Sequence, residues 1–153
     1  MTTYRPMAEH DIDRIVRLGQ KMHAESAFSA LNYDKGKFSD LLRAYVAQPE
    51  THFSFVAEKD GALIGMLLGY VSDYFFGNDL IANEVVWYVD PDFRGGLTGL
   101  RLMREFESWS AARGVSEVYM GVSTGVLVDR TGDLLVRFGY KHVGGNYKRS
   151  VVG

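Results

Sequence analysis

The residues best equipped for chemistry lie in one stretch, 84–113, EVVWYVDPDFRGGLTGLRLMREFESWSAAR. At its centre is Asp90-Pro91-Asp92-Phe93-Arg94-Gly95-Gly96-Leu97-Thr98-Gly99. Gly95, Gly96 and Gly99 carry no Cβ, so the chain can turn tightly there and its amides can approach a ligand. A glycine turn that runs from a strand into a helix can aim several backbone N–H groups at one point. Such a point suits a phosphate or a pyrophosphate. The plainer alternative is a tight turn with no ligand.

The flanking residues define the elements that must hold this turn. Residues 84–89 are rich in Val, Trp and Tyr and predict a strand. Pro91 has no N–H and ends the ladder. Beyond it Leu97, Leu100, Met103, Phe106 and Trp109, with Leu102 beside them, recur at helical spacing. The spacing of the glycines differs from the G-x-G-x-x-G dinucleotide fingerprint.

With these residues in view, the stretch resembles the signature of the GCN5-related N-acetyltransferase (GNAT) superfamily, which moves an acyl group from acetyl-CoA to an amine. That signature is a strand ending in Val-x-Pro followed by Arg/Gln-x-x-Gly-x-Gly/Ala. Val89, Pro91, Arg94 and Gly99 match it, and Gly95 fits the common Arg-Gly opening. Leu97 stands where the first motif glycine belongs. The resemblance implies that acetyl-CoA (coenzyme A) is the cofactor. Its pyrophosphate would rest on the amides of Arg94, Gly95, Gly96, Leu97, Thr98 and Gly99, with charge from the Arg94 side chain and a hydroxyl from Thr98. Its pantetheine arm would follow the backbone of Tyr88 and Val89.

Acyl transfer from a thioester needs a positioned amine, a base for its proton and donors for the developing oxyanion. Relatives often place a Glu on the central strand, and Glu84 is the carboxylate inside the strand-like run before Asp90. It is the candidate base, directly or through water. Its other readings are a solvated strand end or an ion pair, and a register slip of one residue would turn it to the opposite face. Many relatives also carry a tyrosine that protonates the leaving thiolate; by motif matching that position falls on Leu135. Tyr119, Tyr140 and Tyr147 are the substitutes if their rings reach the sulfur, and otherwise they are sheet aromatics. A thiol is acidic enough to leave without a dedicated acid.

The remaining chain supplies the frame. Residues 3–7 predict a strand. A helix follows from Ala8, with Ile12, Ile15, Val16, Gly19 and Met22 on one face. Residues 23–35 break the pattern. Phe28, Leu31 and Tyr33 there either wall the acceptor pocket or cover the core, and His23 reads as a helix-end residue. Phe38, Leu41, Leu42 and Tyr45 predict a second helix, stopped by Pro49. Residues 51–58 and 62–72 predict an antiparallel hairpin turned at Asp60-Gly61. Tyr74, Phe75 and Phe76 then either line the acceptor site or pack in a core or dimer contact. Residues 115–122 predict a strand, 123–125 a turn and 126–138 a helix. Residues 140–143 and 146–152 predict a closing hairpin around Gly144-Gly145.

The expected architecture is therefore α/β: a mixed, mostly antiparallel central sheet of about seven strands flanked by about four helices, as in the acyl-CoA N-acyltransferase fold. The 153 residues suit one domain spanning residues 1–153. A formal charge of -2 gives no bulk attraction to nucleic acid. With no cysteine there is no disulfide, no thiolate metal site and no cysteine nucleophile. The histidines lack ligand spacing, so no metal is expected. No segment reaches membrane-spanning length and the N-terminus lacks a secretory pattern, which fits a cytoplasmic protein. The expected partner is an amine-bearing small molecule or peptide, and homodimers are common among relatives. Acidity near Asp73, Asp79 and Glu84 would favour a cationic amine. Two rival readings remain. One is a non-catalytic acyl-CoA-binding module, suggested by Leu97 and Leu135. The other is a structural domain that binds no cofactor.

Overall fold

The structure is a computed structural model that describes residues 1–122 and 124–151. Its sheet grows from five strands in spatial order: β1 (Thr2–Pro6), β2 (His52–Lys59), β3 (Ala62–Asp73), β4 (Leu80–Val89) and β5 (Glu117–Tyr119). The first four pair antiparallel, as hairpins with short turns allow. The β4–β5 pair is parallel, because α3 (Thr98–Ala111) carries the chain back between them. One face carries α1 (Ile12–Glu25) and α2 (Lys35–Ala47), while α4 (Val128–Arg137) follows β5.

Strand periodicity divides the core into two layers. Val56, Met66, Leu68 and Tyr88 point to the α1/α2 side and pack with Ile12, Ile15, Val16 and Leu42. Phe53, Ala57, Leu67 and Ala82 point the other way, onto Leu102 and Phe106 of α3. The buried stripe of α3 is Thr98, Leu102, Met103, Phe106 and Ser110. Leu97, expected on that stripe, precedes the helix and is 67% exposed.

Two expectations are corrected. The sheet has five strands among the described residues, where about seven were expected. The closing hairpin over 140–143 and 146–152 does not form a ladder within the described residues. Val143, Tyr147 and Val151 stay exposed, so the apolar side chains of that segment are not packed against the core, and an isolated two-stranded ribbon is marginal without such packing. Ser123 of the expected 123–125 turn and Val152 of the hairpin lie outside the described residues. No helix among the described residues is long and apolar enough to cross a membrane.

Gly69 of β3 lies under α3. A Cβ there would meet the Phe106 ring at 2.5 Å and the Asn83 carbonyl oxygen at 2.8 Å. The ring is fully buried and the carbonyl belongs to the neighbouring strand, so neither has room to give. Gly69→Ala is expected to destabilise the fold by about 1–3 kcal/mol, the usual range for overpacking. Urea unfolding measures this directly.

Candidate active site

The site forms where β4 and β5 part. Their pairing covers only Ile81–Asn83 against Glu117–Tyr119. From Glu84 to Val89 the β5-facing edge of β4 has no strand partner among the described residues. A bulge lies at the same place: Leu68 pairs with Val86 and Gly69 with Glu84, which leaves Val85 as the extra residue. The bulge breaks the alternation, so Ala82 and Trp87 pack on the same layer although their positions differ by an odd number.

Glu84, at the start of this splay, accepts a hydrogen bond from the Gly121 amide at 3.1 Å. Desolvation by the surrounding apolar atoms pushes its carboxyl up to about 7, and the Gly121 amide opposes this only in part. A carboxyl balanced near neutrality is suited to taking a proton.

Glu84 lies on the wall of a cavity of about 990 Å³ between β4, α1, α2 and the loop that joins those helices. Phe28, Tyr33, Phe38, Leu41, Val86 and Trp87 form much of that wall. The Tyr33 hydroxyl donates to the Val16 carbonyl at 2.6 Å, which fixes the loop against α1. Close approach of α2 depends on Gly19, since a Cβ there would stand 2.5 Å from the Phe38 ring. His23 also lines the cavity, and its buried Nε2 has no hydrogen-bond partner.

On the other side of β4 a cleft of about 760 Å³ runs between the 93–100 loop and α4. The two spaces share Trp87, Thr124, Val126 and Thr131 as lining. In the loop, Asp90 accepts from the Asp92 amide and from Lys21 of α1. Gly95 has φ +92°, which a side chain would strain. The amides of residues 95–99 donate to no protein group among the described residues. The Trp87 indole donates to the Gly99 carbonyl at 3.0 Å, locking the start of α3 to β4.

Arg94 is held differently from the expectation of a phosphate contact. Its Nε donates to the Val89 carbonyl and its Nη1 to Glu25, both at 2.9 Å. Its guanidinium lies over the Tyr88 ring, and the Tyr88 hydroxyl donates to Glu25 as well. Burial would raise the Glu25 carboxyl, but these two hydrogen bonds outweigh it and hold it below the usual range. Arg94 thus fastens the loop to the end of α1. The free positive charge in the cleft comes instead from Arg130 and Arg137 of α4. Neither is in an ion pair among the described residues, and Arg130 Nη2 lies 3.9 Å from where a Cβ on Gly95 would stand. Arg130, Leu134 and Arg137 follow helical spacing, a signal present in the sequence but without meaning until α4 is placed beside the loop.

The model of the acetyltransferase (GNAT) family matches residues 20–131. The chain belongs to the GNAT acetyltransferase family. No curated protein matches it at the level of sequence. Among solved structures, glucosamine-6-phosphate N-acetyltransferase from Arabidopsis thaliana superposes with a TM-score of 0.76 at 13% identity, covering 99% of this chain and 99% of that one. A GCN5-related N-acetyltransferase from Ralstonia eutropha JMP134 gives 0.74 at 20% identity, with 99% and 100% covered. A predicted acetyltransferase from Clostridium acetobutylicum, solved with acetyl-CoA, gives 0.72 at 13%, with 99% and 97% covered. Identities this low speak for the fold, which is the mixed α/β acyl-CoA N-acyltransferase fold.

Within this GNAT frame, Tyr88, Val89, Arg94, Gly95, Gly96, Leu97, Thr98 and Gly99 all line the cleft, and Phe28 and Tyr33 line the cavity with Glu84. The Leu97 side chain stands out into solvent at the helix start, and Thr98 is buried against the sheet. Tyr74 and Phe75 line neither space; they are exposed at the β3–β4 turn. Tyr119 donates to Glu117 at 2.8 Å and Tyr140 to Glu107 of α3 at 3.1 Å, and both lie off the two spaces.

Proposed function

We propose that this GNAT protein is an acetyl-CoA-dependent N-acetyltransferase that acetylates a primary amine by direct attack, with Glu84 as general base. The observation that carries the proposal is the placing of Glu84: a desolvated carboxyl at the β4–β5 splay, on the wall of a cavity that meets the glycine-loop cleft.

The residues of the cleft fit coenzyme A. The unpartnered amides of 95–99 suit a pyrophosphate, the φ of Gly95 opens the loop, and Arg130 and Arg137 supply charge. When bound, acetyl-CoA supplies an acetyl group activated as a thioester. The free edge of β4 provides backbone groups for the pantetheine arm, although Arg94 already occupies the Val89 carbonyl. Glu84 takes the ammonium proton, directly or through one water, and the cavity walls hold the amine while excluding bulk solvent.

No tyrosine is needed as an acid in this scheme. Tyr33 and Tyr88 line the two spaces, but their hydroxyls already donate to the Val16 carbonyl and to Glu25. Tyr119→Phe and Tyr140→Phe are each expected to keep kcat within about threefold of the parent, whereas loss of a general acid would cost about 10²-fold or more. Steady-state release of free CoA thiol reads both.

The alternative, an acyl-CoA-binding module without turnover, draws on Leu97 and Leu135. Calorimetry with CoA and acetyl-CoA, followed by turnover on an amine panel, separates the readings. No binding by the folded protein rejects both readings; binding with no turnover on any amine leaves the module.

A further inference from the structure

Resting on that reading of the site, we infer that the acceptor is a monoamine whose amino group is carried on an apolar body of aromatic size, the arylalkylamine class. The lining of the cavity includes the carboxylates Asp34, Asp40 and Glu84 and one lysine, Lys37. Asp34 caps α2 by accepting the Lys37 amide at 3.0 Å, and Asp40 pairs with Arg43 at 3.2 Å. Both of these carboxylates are exposed to solvent, whereas Glu84 is half-buried and meets only the Gly121 amide among the described residues, so it is the one placed to receive an ammonium group out of water. A polyamine or an aminoglycoside would bring further cations and find no second half-buried carboxylate in this lining. A phosphorylated sugar amine would meet Lys37 against three carboxylates.

Shape points the same way. Next to Glu84 the lining is Val85, Val86 and Trp87 of β4, with Val122 and Val126 beyond. Phe28, Tyr33, Phe38 and Leu41 face them from the helix α1–α2 side. Tyr33 and Phe38 meet edge-on at 6.3 Å between ring centroids, and the Tyr33 hydroxyl gives its proton to the Val16 carbonyl, which leaves it no donor for the acceptor. Hydroxylated sugars bury polar groups that must each find a partner; His23, Ser26, Asn32, Thr124 and Thr131 line the cavity too, but the β4 and aromatic walls are apolar. An aromatic ring gains by burial against them, while its amine reaches the carboxyl at the inner end.

The test uses the whole protein with acetyl-CoA and compares phenethylamine and tyramine with spermidine, glucosamine 6-phosphate, kanamycin and a lysine peptide. The inference expects kcat/KM for the aryl amines to exceed that of each polar amine by at least about tenfold. Phe28→Ala and Phe38→Ala are expected to narrow that ratio. Independently of turnover, phenethylamine is titrated against the fluorescence of Trp87, with Trp87→Phe as control for Trp109. Saturable quenching without turnover keeps the acceptor class and removes the catalytic reading. Turnover of a polar amine at a rate equal to or above that of the aryl amines overturns the acceptor class and keeps the catalytic reading. Neither quenching nor turnover overturns both.

Discussion

A Glu84→Gln protein is expected to acetylate its acceptor about 10²- to 10³-fold more slowly than the parent, with its fold intact. Glutamine keeps the shape of the side chain and can still accept from the Gly121 amide, so the change removes the base and little else. On the proposed reading the parent is expected to show an acid limb in kcat/KM with a midpoint at about 7, because only the ionised carboxylate accepts the proton. In the Gln protein that limb disappears and only the titration of the amine substrate is left. A loss under about threefold, or a limb that persists, assigns proton transfer to another group.

The same desolvation has an opposite consequence for stability. Glu84 titrates at about 7 in the fold, above the ordinary 4.5 that the unfolded chain retains. Between these values the folded state holds more protons than the unfolded one, so stability falls as pH rises through that window. The difference corresponds to at most about 3 kcal/mol above pH 7. Glu84→Gln therefore gains stability over the parent at pH 8 compared with acid pH, while losing activity.

Asp11→Asn is expected to destabilise the fold at pH 7 by about 3 kcal/mol, the lower end of what breaking a buried ion pair costs. The Asp11 carboxylate is fully buried. Its Oδ2 accepts from Arg5 at 2.7 Å and from the Ala8 amide at 2.8 Å; its Oδ1 accepts from Arg5 at 2.9 Å and Arg14 at 2.8 Å. Glu58 holds the same two arginines from β2, so the cluster ties β1, the start of α1 and β2. Asparagine leaves two guanidinium groups with Glu58 as their remaining carboxylate. The bidentate Arg5 bond, despite burial, keeps the Asp11 carboxyl far below the usual range. Its contribution is thus complete above the ordinary 3.8 and is lost progressively at lower pH. Urea unfolding at pH 7 and pH 3 should show the gap between parent and variant narrowing in acid. A gap that does not change with pH would mean that the ion pair contributes nothing.

Much of the frame was legible locally. The stripe of Ile12, Ile15 and Val16, the alternation of Phe53 and Phe55, and the Asp60-Gly61 turn each encode their element within a few residues. The glycine loop was legible as a turn for the same reason, from Pro91, Gly95 and Gly99; that its amides go unpaired among the described residues is a fact of the packing around it. Sequence identified Glu84 as a carboxylate inside a strand, but not which way it points.

That was decided by tertiary structure. The Val85 bulge exists only because β3 and β4 shift register past each other, and the splay only because β5 ends at Tyr119. Arg94 meets Glu25 across 69 positions of sequence, and Glu84 meets Gly121 across 37. Period and turn chemistry act over one or two turns of chain and contain no information about such pairs. By itself, then, the sequence determined most of the helices, the first four strands and the glycine turn after Pro91. Packing decided which arginines face the cleft, which tyrosines are left outside, and that a half-buried carboxyl lines the cavity adjoining the cleft, because burial and charge pairing are properties of neighbours distant in the chain.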